Sequence, residues 1–226
     1  MKKSFYSLFL AAIVSLTAVC AHAAEAVSEA VVLKVTGAAQ ATLPGKAPVD
    51  IKAGDKLPQG TIITTPASAE VEIQVFSGNI TTIKPSTSAT LNKLSITTSN
   101  GAVTKQTAEV GLKVGSVIAN LDPSKKAIND YSVRTPKGVA SARGTIYQVT
   151  VSLNGTVRTY VTTGVVVFVN AQGQAITVPP GYAVEVAADG TIGEPAPATE
   201  AQQEAADGKN PASPDVIDIT TVSPSA

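Results

Sequence analysis

Glu70-Val71-Glu72-Ile73-Gln74-Val75, closed by Phe76-Ser77-Gly78-Asn79, decides how the chain is read. Val71, Ile73 and Val75 alternate with Glu70, Glu72 and Gln74, the period of two shown by a strand with one buried and one solvated face. Ser77-Gly78-Asn79 supplies turn chemistry, so the strand ends there in a hairpin or sheet corner. The same grammar recurs downstream. Val157, Thr159 and Val161 alternate with Arg158, Tyr160 and Thr162, and Asn100-Gly101, Asn154-Gly155, Gln172-Gly173 and Asp189-Gly190 punctuate the runs. Val165-Val166-Val167-Phe168-Val169 is unbroken, which predicts a strand covered on both faces. Short strands and turn signals at a spacing of about 8–12 residues predict an all-β fold. The architecture expected is a two-sheet β roll or solenoid-like sandwich of many short strands.

Composition agrees. Of 226 residues, 44% are hydrophobic, yet only 4% are aromatic and 15% charged, with 17 Gly and 14 Pro. Small, β-branched and turn residues dominate, and helix formers are few. The 17 basic and 17 acidic side chains cancel, so net charge does not point to nucleic acid. Asn79-Ile80-Thr81 and Asn154-Gly155-Thr156 match the glycosylation acceptor pattern but read as turns. No heptad pattern or long amphipathic helix is evident, and no membrane insertion is expected.

The chain begins like an export leader. Lys2 and Lys3 precede an apolar run, Leu8 to Val19, and Ala21-His22-Ala23 is a small-x-small cleavage site. Residues 1–23 therefore read as a secretory signal peptide, and the protein as periplasmic or extracellular. Cys20, His22 and Met1 all lie within that leader, and the chain has no Trp. Residues 24–226 thus lack imidazole and thiol, the usual donors to zinc, copper and iron and the usual parts of nucleophile–base pairs. No cofactor, no metal site and no enzymatic activity are expected. Paired carboxylates remain for glycoside hydrolysis, with Asp55, Glu70, Glu72, Asp122, Asp130 and Glu185 as the body candidates.

At the other end, residues 194–226 hold Glu194, Glu200, Glu204, Asp207, Asp215 and Asp218 against Lys209, and are rich in Ala and Pro. Such a segment cannot offset its ordering entropy and is expected to be disordered. Within it, Val216-Ile217-Asp218-Ile219-Thr220-Thr221-Val222 has strand character, and Thr199 to Ala206 is a short helical stretch.

Two stretches are ordered like a known pattern. The first is Gly54-Asp55-Lys56-Leu57-Pro58-Gln59-Gly60-Thr61-Ile62, followed by Phe76-Ser77-Gly78-Asn79 and Ile83-Lys84-Pro85. The second is Tyr131-Ser132-Val133-Arg134-Thr135-Pro136, then Ala142-Arg143-Gly144-Thr145-Ile146-Tyr147-Gln148-Val149, then Pro180-Gly181-Tyr182. Together they resemble the FecR domain, with its G-D-x-L-x-x-G turn, T-P step and R-G-T-x-F/Y-x-V strand, over roughly residues 30–187, within a β domain read as residues 24–193. The family-motif positions are Gly54, Asp55, Gly60, Thr135, Pro136, Arg143, Gly144 and Thr145.

Their chemistry is structural on its own terms. The two glycines bracket Pro58 in a turn, and Asp55 accepts local N–H groups. Thr135-Pro136 ends a strand because proline cannot donate to the ladder. Gly144 allows close backbone approach, and Arg143 is either an anion anchor or a structural guanidinium. Tyr147 and Val149 are expected to share one face with Arg143 and Thr145.

The resemblance implies a non-enzymatic periplasmic domain, related to proteins that relay a signal from an outer-membrane transducer to a sigma factor. The cytoplasmic sigma-binding segment and membrane helix of those proteins have no counterpart in the sequence given. The function expected first is therefore an exported binding module for an envelope protein or polysaccharide, with the Thr-rich face of Thr61, Thr64, Thr65, Thr81 and Thr82 as a candidate surface. A detached sensor component of FecR-type signalling is the alternative, and a carboxylate hydrolase comes third.

Overall fold

The computed structural model describes residues 23–199 and residue 203. Residues 1–22, on which the expected signal peptide falls, the Val216–Val222 run and most of the acidic stretch lie outside the described residues. The N-terminal half supplies β1 (Ala24–Val27), β2 (Glu29–Thr36), β3 (Gln40–Thr42), β4 (Pro48–Asp50), β5 (Lys56–Pro58), β6 (Ile62–Thr65), β7 (Glu70–Gln74), β8 (Asn79–Ile83) and β9 (Thr87–Ser99). Then come β10 (Ala102–Leu121), a 3-10 turn at Pro123–Lys125, β11 (Asn129–Thr135), β12 (Gly138–Ala142) and β13 (Ile146–Val151). The chain continues through β14 (Val157–Thr163), β15 (Val166–Asn170), β16 (Ala175–Val178), β17 (Tyr182–Val186) and β18 (Ala196–Pro197).

Two open sheets form. Sheet A runs β4-β3-β6-β9-β10-β11-β12-β15-β16, with β1 on β9 beyond the end of β6. Sheet B runs β5-β2-β7-β8-β10-β13-β14-β17-β18. Both contain β10, which makes the molecule a roll. Its first part pairs with β9 and β11, and from Gly115 onward it pairs with β8 and β13. The change of sheet falls at a register shift between Leu112 and Val114. Gly115 sits there at φ +96, where any Cβ would meet Thr87 Oγ1, Thr87 Cα at 2.5 Å and Ser86 O at 2.6 Å. The side chain of Thr87 takes the vacant space and accepts the Ser116 N–H at 2.9 Å. A strand can turn this corner only where the backbone is bare.

The turns follow the local chemistry. Asn100 at φ +51 and Gly101 at φ +76 join β9 to β10 in the primed geometry that suits a twisted hairpin. Between the sheets lies a core of Val, Ile, Leu and Ala joined by Phe76, Tyr131 and Tyr147. These rings meet edge to face, at 6.3 Å for Phe76–Tyr131 and 6.4 Å for Tyr131–Tyr147. That arrangement sets a positive ring edge against a negative ring face.

Three expectations are corrected. Val165–Val169 is covered on one face only: Val165 is 47% and Val167 39% exposed, because β15 lies in sheet A with its odd positions facing out. The Thr-rich face does not exist, since Thr61, Thr65, Thr81 and Thr82 are buried and Thr64 alone is exposed. Their hydroxyls bond inward instead, Thr61 to Pro58 O at 2.7 Å and Thr65 to Lys84 O at 2.6 Å. Finally, residues 142–149 are not one strand. Arg143-Gly144-Thr145 is the crossing from β12 in sheet A to β13 in sheet B, so Arg143 leaves the face that Thr145, Tyr147 and Val149 share.

Composition places the acidic stretch from residue 194, but the last strand lies inside it. Ala196–Pro197 pairs with β17, and Ala198 is buried against Tyr160. Gln203 N–H donates to Thr199 O at 3.1 Å, and the rest of the expected Thr199–Ala206 helical stretch lies outside the described residues.

Candidate functional site

The eight motif residues build turns and crossings. Gly54 (φ +90) and Gly60 (φ +87) flank β5. Asp55 Oδ2 accepts the Lys52 N–H at 2.9 Å, while Val32 N–H donates to Asp55 O and Gly54 N–H to Val32 O, at 2.9 and 2.8 Å. Gly60 N–H reaches across to Leu91 O at 2.7 Å. The segment therefore clasps β2 in sheet B to β9 in sheet A. Thr135 ends β11, donates to Gly138 O at 2.9 Å and accepts from Lys137 N–H at 3.2 Å, closing the turn over Pro136. Gly144 (φ +69) packs where a Cβ would lie 2.8 Å from Pro123 Cα. Thr145 is buried, and its hydroxyl donates to Val165 O at 3.2 Å.

Arg143 is exposed and stands 3.7 Å from Asp130, which also takes Lys105 at 3.2 Å. A surface pair of this kind holds little free energy, and the arrangement favours the structural reading over an anion anchor. The other hydrolase candidates are similarly engaged. Glu70 pairs with Lys84 at 2.6 Å, Glu185 with Arg158, and Asp122 caps the 3-10 turn through Ser124 N–H at 2.8 Å. Glu72 stands across from Lys34 and Thr82. Among the described residues, no group of three or more acidic, His or Cys side chains is placed to hold a metal ion.

Sequence reading missed three features. The first is the outer face of sheet A, where Arg134 donates to both oxygens of Glu109 at 2.7 and 2.8 Å. Asn92 adds a third bond to Glu109 at 3.0 Å. The Arg134 fork, ahead of a desolvation effect in the opposite direction, holds the Glu109 carboxyl below its ordinary range. No local signal marks this group, because β9, β10 and β11 meet only in the sheet.

The second is a buried polar seam at one end of the core. Gln106 donates to Asn129 Oδ1 at 3.0 Å and to Ser77 O at 3.4 Å. Nearby, Thr81 bonds Asn79 Oδ1 at 3.0 Å and the Tyr131 hydroxyl at 2.9 Å. Burial pushes the Tyr131 phenol well above its ordinary range, partly opposed by that Thr81 bond. Asn79 Nδ2, Asn129 Nδ2 and Gln106 Oε1 are buried without a hydrogen-bond partner. Two donor atoms and one acceptor left over in a buried polar seam suit bound water. A legible signal existed here: Asn79 and Thr81 share the inward register of β8, and Gln106 that of β10 with Ala108 and Val110.

The third lies where sheet A is incomplete. β6 pairs with Thr87–Thr90 of β9 and β1 with Ser95–Thr98, so the middle of β9 has no strand on the edge opposite β10 among the described residues. Gln59 fills part of the gap, its Oε1 accepting Leu94 N–H at 3.1 Å. A cleft of about 380 Å³ opens there, lined by Glu25, Val27, Gln59, Asn92, Lys93 and Leu94. Val27 is 68% exposed, and Glu25 pairs with Lys93 at 3.5 Å. Bonds from Ser95 and then the Lys93 charge keep the Glu25 carboxyl ionised below its usual range. Among the described strands β1 pairs with β9 alone, so no described strand takes the N–H and C=O groups of its outer edge. Gln59 was visible inside the Gly54–Gly60 motif, but nothing in sequence placed it beside residues 24–27.

No protein-family model matches the chain, and no curated protein matches it. Among solved structures, two crystal structures of a "putative anti-sigma factor" from Parabacteroides distasonis ATCC 8503 are similar, at 1.65 and 2.50 Å resolution. Each is 16% identical to this chain, with TM-scores of 0.49 and 0.46. Each match covers 64% of this chain and 62% of the other.

Proposed function

We propose that this chain is an exported, non-enzymatic FecR-like β domain that works as a binding module, receiving an extended segment of an envelope protein along β1. The observation that carries the proposal is the β1 edge beside the Gln59 cleft. An added strand gains main-chain bonds from the free edge, while the cleft receives alternate side chains. Val27 offers apolar contact at one side, and the Glu25–Lys93 pair offers charges of both signs at the other. Support for a non-enzymatic role comes from composition, since the imidazole and thiol lie in the leader.

A photo-crosslinker at position 27, in cells that export the protein, tests this reading. A specific adduct at position 27 that is absent with the crosslinker at Leu153, an exposed turn residue, is expected. Equal labelling at both positions, or an adduct with polysaccharide alone, overturns the peptide reading.

A sensory reading rests on the acidic 194–226 stretch, through which a detached sensor domain would meet a membrane-bound signalling partner. Deleting residues 204–226 separates the two: an unchanged transcriptional response removes the sensory reading and leaves the β1 edge intact.

A further inference from the structure

The strands at the margins of the two sheets differ in how they are guarded. β4 carries Pro48 and Asp50, β5 carries Lys56 and Pro58, β18 carries Pro197, and β1, on the flank of β9, carries Glu25. A charge or a proline on an edge strand discourages another strand from pairing with it. β16, which ends sheet A, reads Ala175-Ile176-Thr177-Val178 and has neither. The bareness extends around it. Residues 159–184 hold no Asp, Glu, Lys or Arg, in a chain that is 15% charged. Beside β16, Val165 just before β15 and Val167 within it point outward, 47% and 39% exposed. An uncharged surface with apolar side chains in water has the composition of an interface centre.

Hydrogen-bond parity fixes which groups this edge presents. The β15–β16 hairpin closes with Asn170 N–H donating to Gln174 O at 2.9 Å. In an antiparallel ladder bonded and non-bonded pairs alternate, so Phe168–Ile176 and Val166–Val178 are the next bonded pairs. The N–H and C=O groups of Ala175 and Thr177 therefore face away from β15, and no described strand takes them. Ala175 and Thr177 are also exposed, while the Ile176 side chain turns inward against the core.

We propose that β16 pairs antiparallel with β16 of a second copy, joining the two A sheets across a two-fold axis at Ile176. In that register Ala175 of each copy stands opposite Thr177 of the other, and the two pairs exchange their outward main-chain bonds. Ile176 meets the second copy's Ile176 on the axis, in the closer non-bonded pair, and buries further the side chain that already touches the core. The occupant is a second copy because of charge. A two-fold contact sets like residues near the axis, where like charges repel, and this edge has none. β1 differs, since self-pairing there would gather Glu25 from both copies. The β16 contact is thus separate from the β1 edge and leaves it accessible in each copy.

Sedimentation of the full chain tests the proposal. A concentration-dependent monomer–dimer equilibrium is expected. Thr177→Lys, at an exposed position, puts like charges beside the axis and is expected to weaken the dimer at least about tenfold. Val49→Lys, at an exposed position of β4, is expected to leave it unchanged. A chain that stays monomeric up to about 1 mM overturns the proposal, and so does a dimer that Val49→Lys weakens as much as Thr177→Lys. Cysteine linking gives a second readout, with Cys20→Ser removing the native thiol. The axis brings the two 176 positions to about 4.5 Å between Cα atoms, within disulfide reach, and leaves the two 167 positions three strand spacings, about 14 Å, apart. Ile176→Cys is therefore expected to link two copies at least about tenfold faster than Val167→Cys. Equal rates overturn the proposal.

Discussion

Substituting Gly115→Ala strikes the corner on which the roll depends. Three contributions add. An L-residue held at φ +96 is strained by about 1–2 kcal/mol. The new Cβ would lie 2.5 Å from Thr87 Cα and 2.6 Å from Ser86 O, so backbone rather than a flexible side-chain end has to move. Displacing Thr87 also weakens its bonds with Ser116 N–H at 2.9 Å and Ser116 O at 3.2 Å, each worth about 1 kcal/mol. The expected loss is about 3–5 kcal/mol, a large part of the roughly 5–15 kcal/mol that ordinary domains have. For a domain of this size, Tm then falls by about 10–15 °C.

Thermal unfolding by circular dichroism measures the effect, with Gly173→Ala as control. Gly173 has φ +80 but open space within 4 Å, so only the strain of about 1–2 kcal/mol applies. Adding Thr87→Ala to Gly115→Ala does not rescue it, because Thr87 Cα and Ser86 O remain in the way. If Gly115→Ala costs no more than Gly173→Ala, the corner does not require a bare backbone and the reasoning fails.

Tyr131→Phe keeps the ring contacts but removes the 2.9 Å bond to Thr81; urea unfolding should show a loss of about 1–2 kcal/mol. Arg143→Ala should change stability by less than about 0.5 kcal/mol, whereas Arg134→Ala, which strips a bidentate partner from Glu109, should lower the urea midpoint clearly more. Glu109→Gln tests the sign of a pH effect. The Glu109 pKa is depressed from 4.5 in the folded chain, so its contribution is full above that value and is lost as pH falls through the lower, folded value. The Tm gap between native chain and variant should be constant near neutral pH and shrink below about pH 4.5; a gap that widens on acidification contradicts the assignment.

Several local features were legible because a few adjacent residues decide them. Asn100-Gly101 demands a primed turn wherever it lies. Thr135-Pro136 ends a strand since proline has no N–H to give, and the Thr135 hydroxyl closes that turn as its chemistry allows. Gly54, Asp55 and Gly60 likewise occupy the turn their residue types predict, and the alternation at Val71 and Ile73 matches their burial. The candidate binding edge was not legible. It joins residues 24–27, 59 and 92–94, which no window of sequence holds together.

What the amino-acid order determines by itself is thus the period of each strand and the places where it must stop, since these depend on backbone angles and on neighbours one or two residues away. Which side of a strand meets water is a tertiary decision. Val167 and Ile118 are equally apolar, yet one lies 39% and the other 9% exposed. The difference comes from the place each strand takes in its sheet, β15 beside the terminal strand β16 and the second part of β10 between β8 and β13, and that second pairing follows from β10 changing partners at Gly115. Pairings between residues far apart in the chain select the face, and those pairings exist only once the roll has closed.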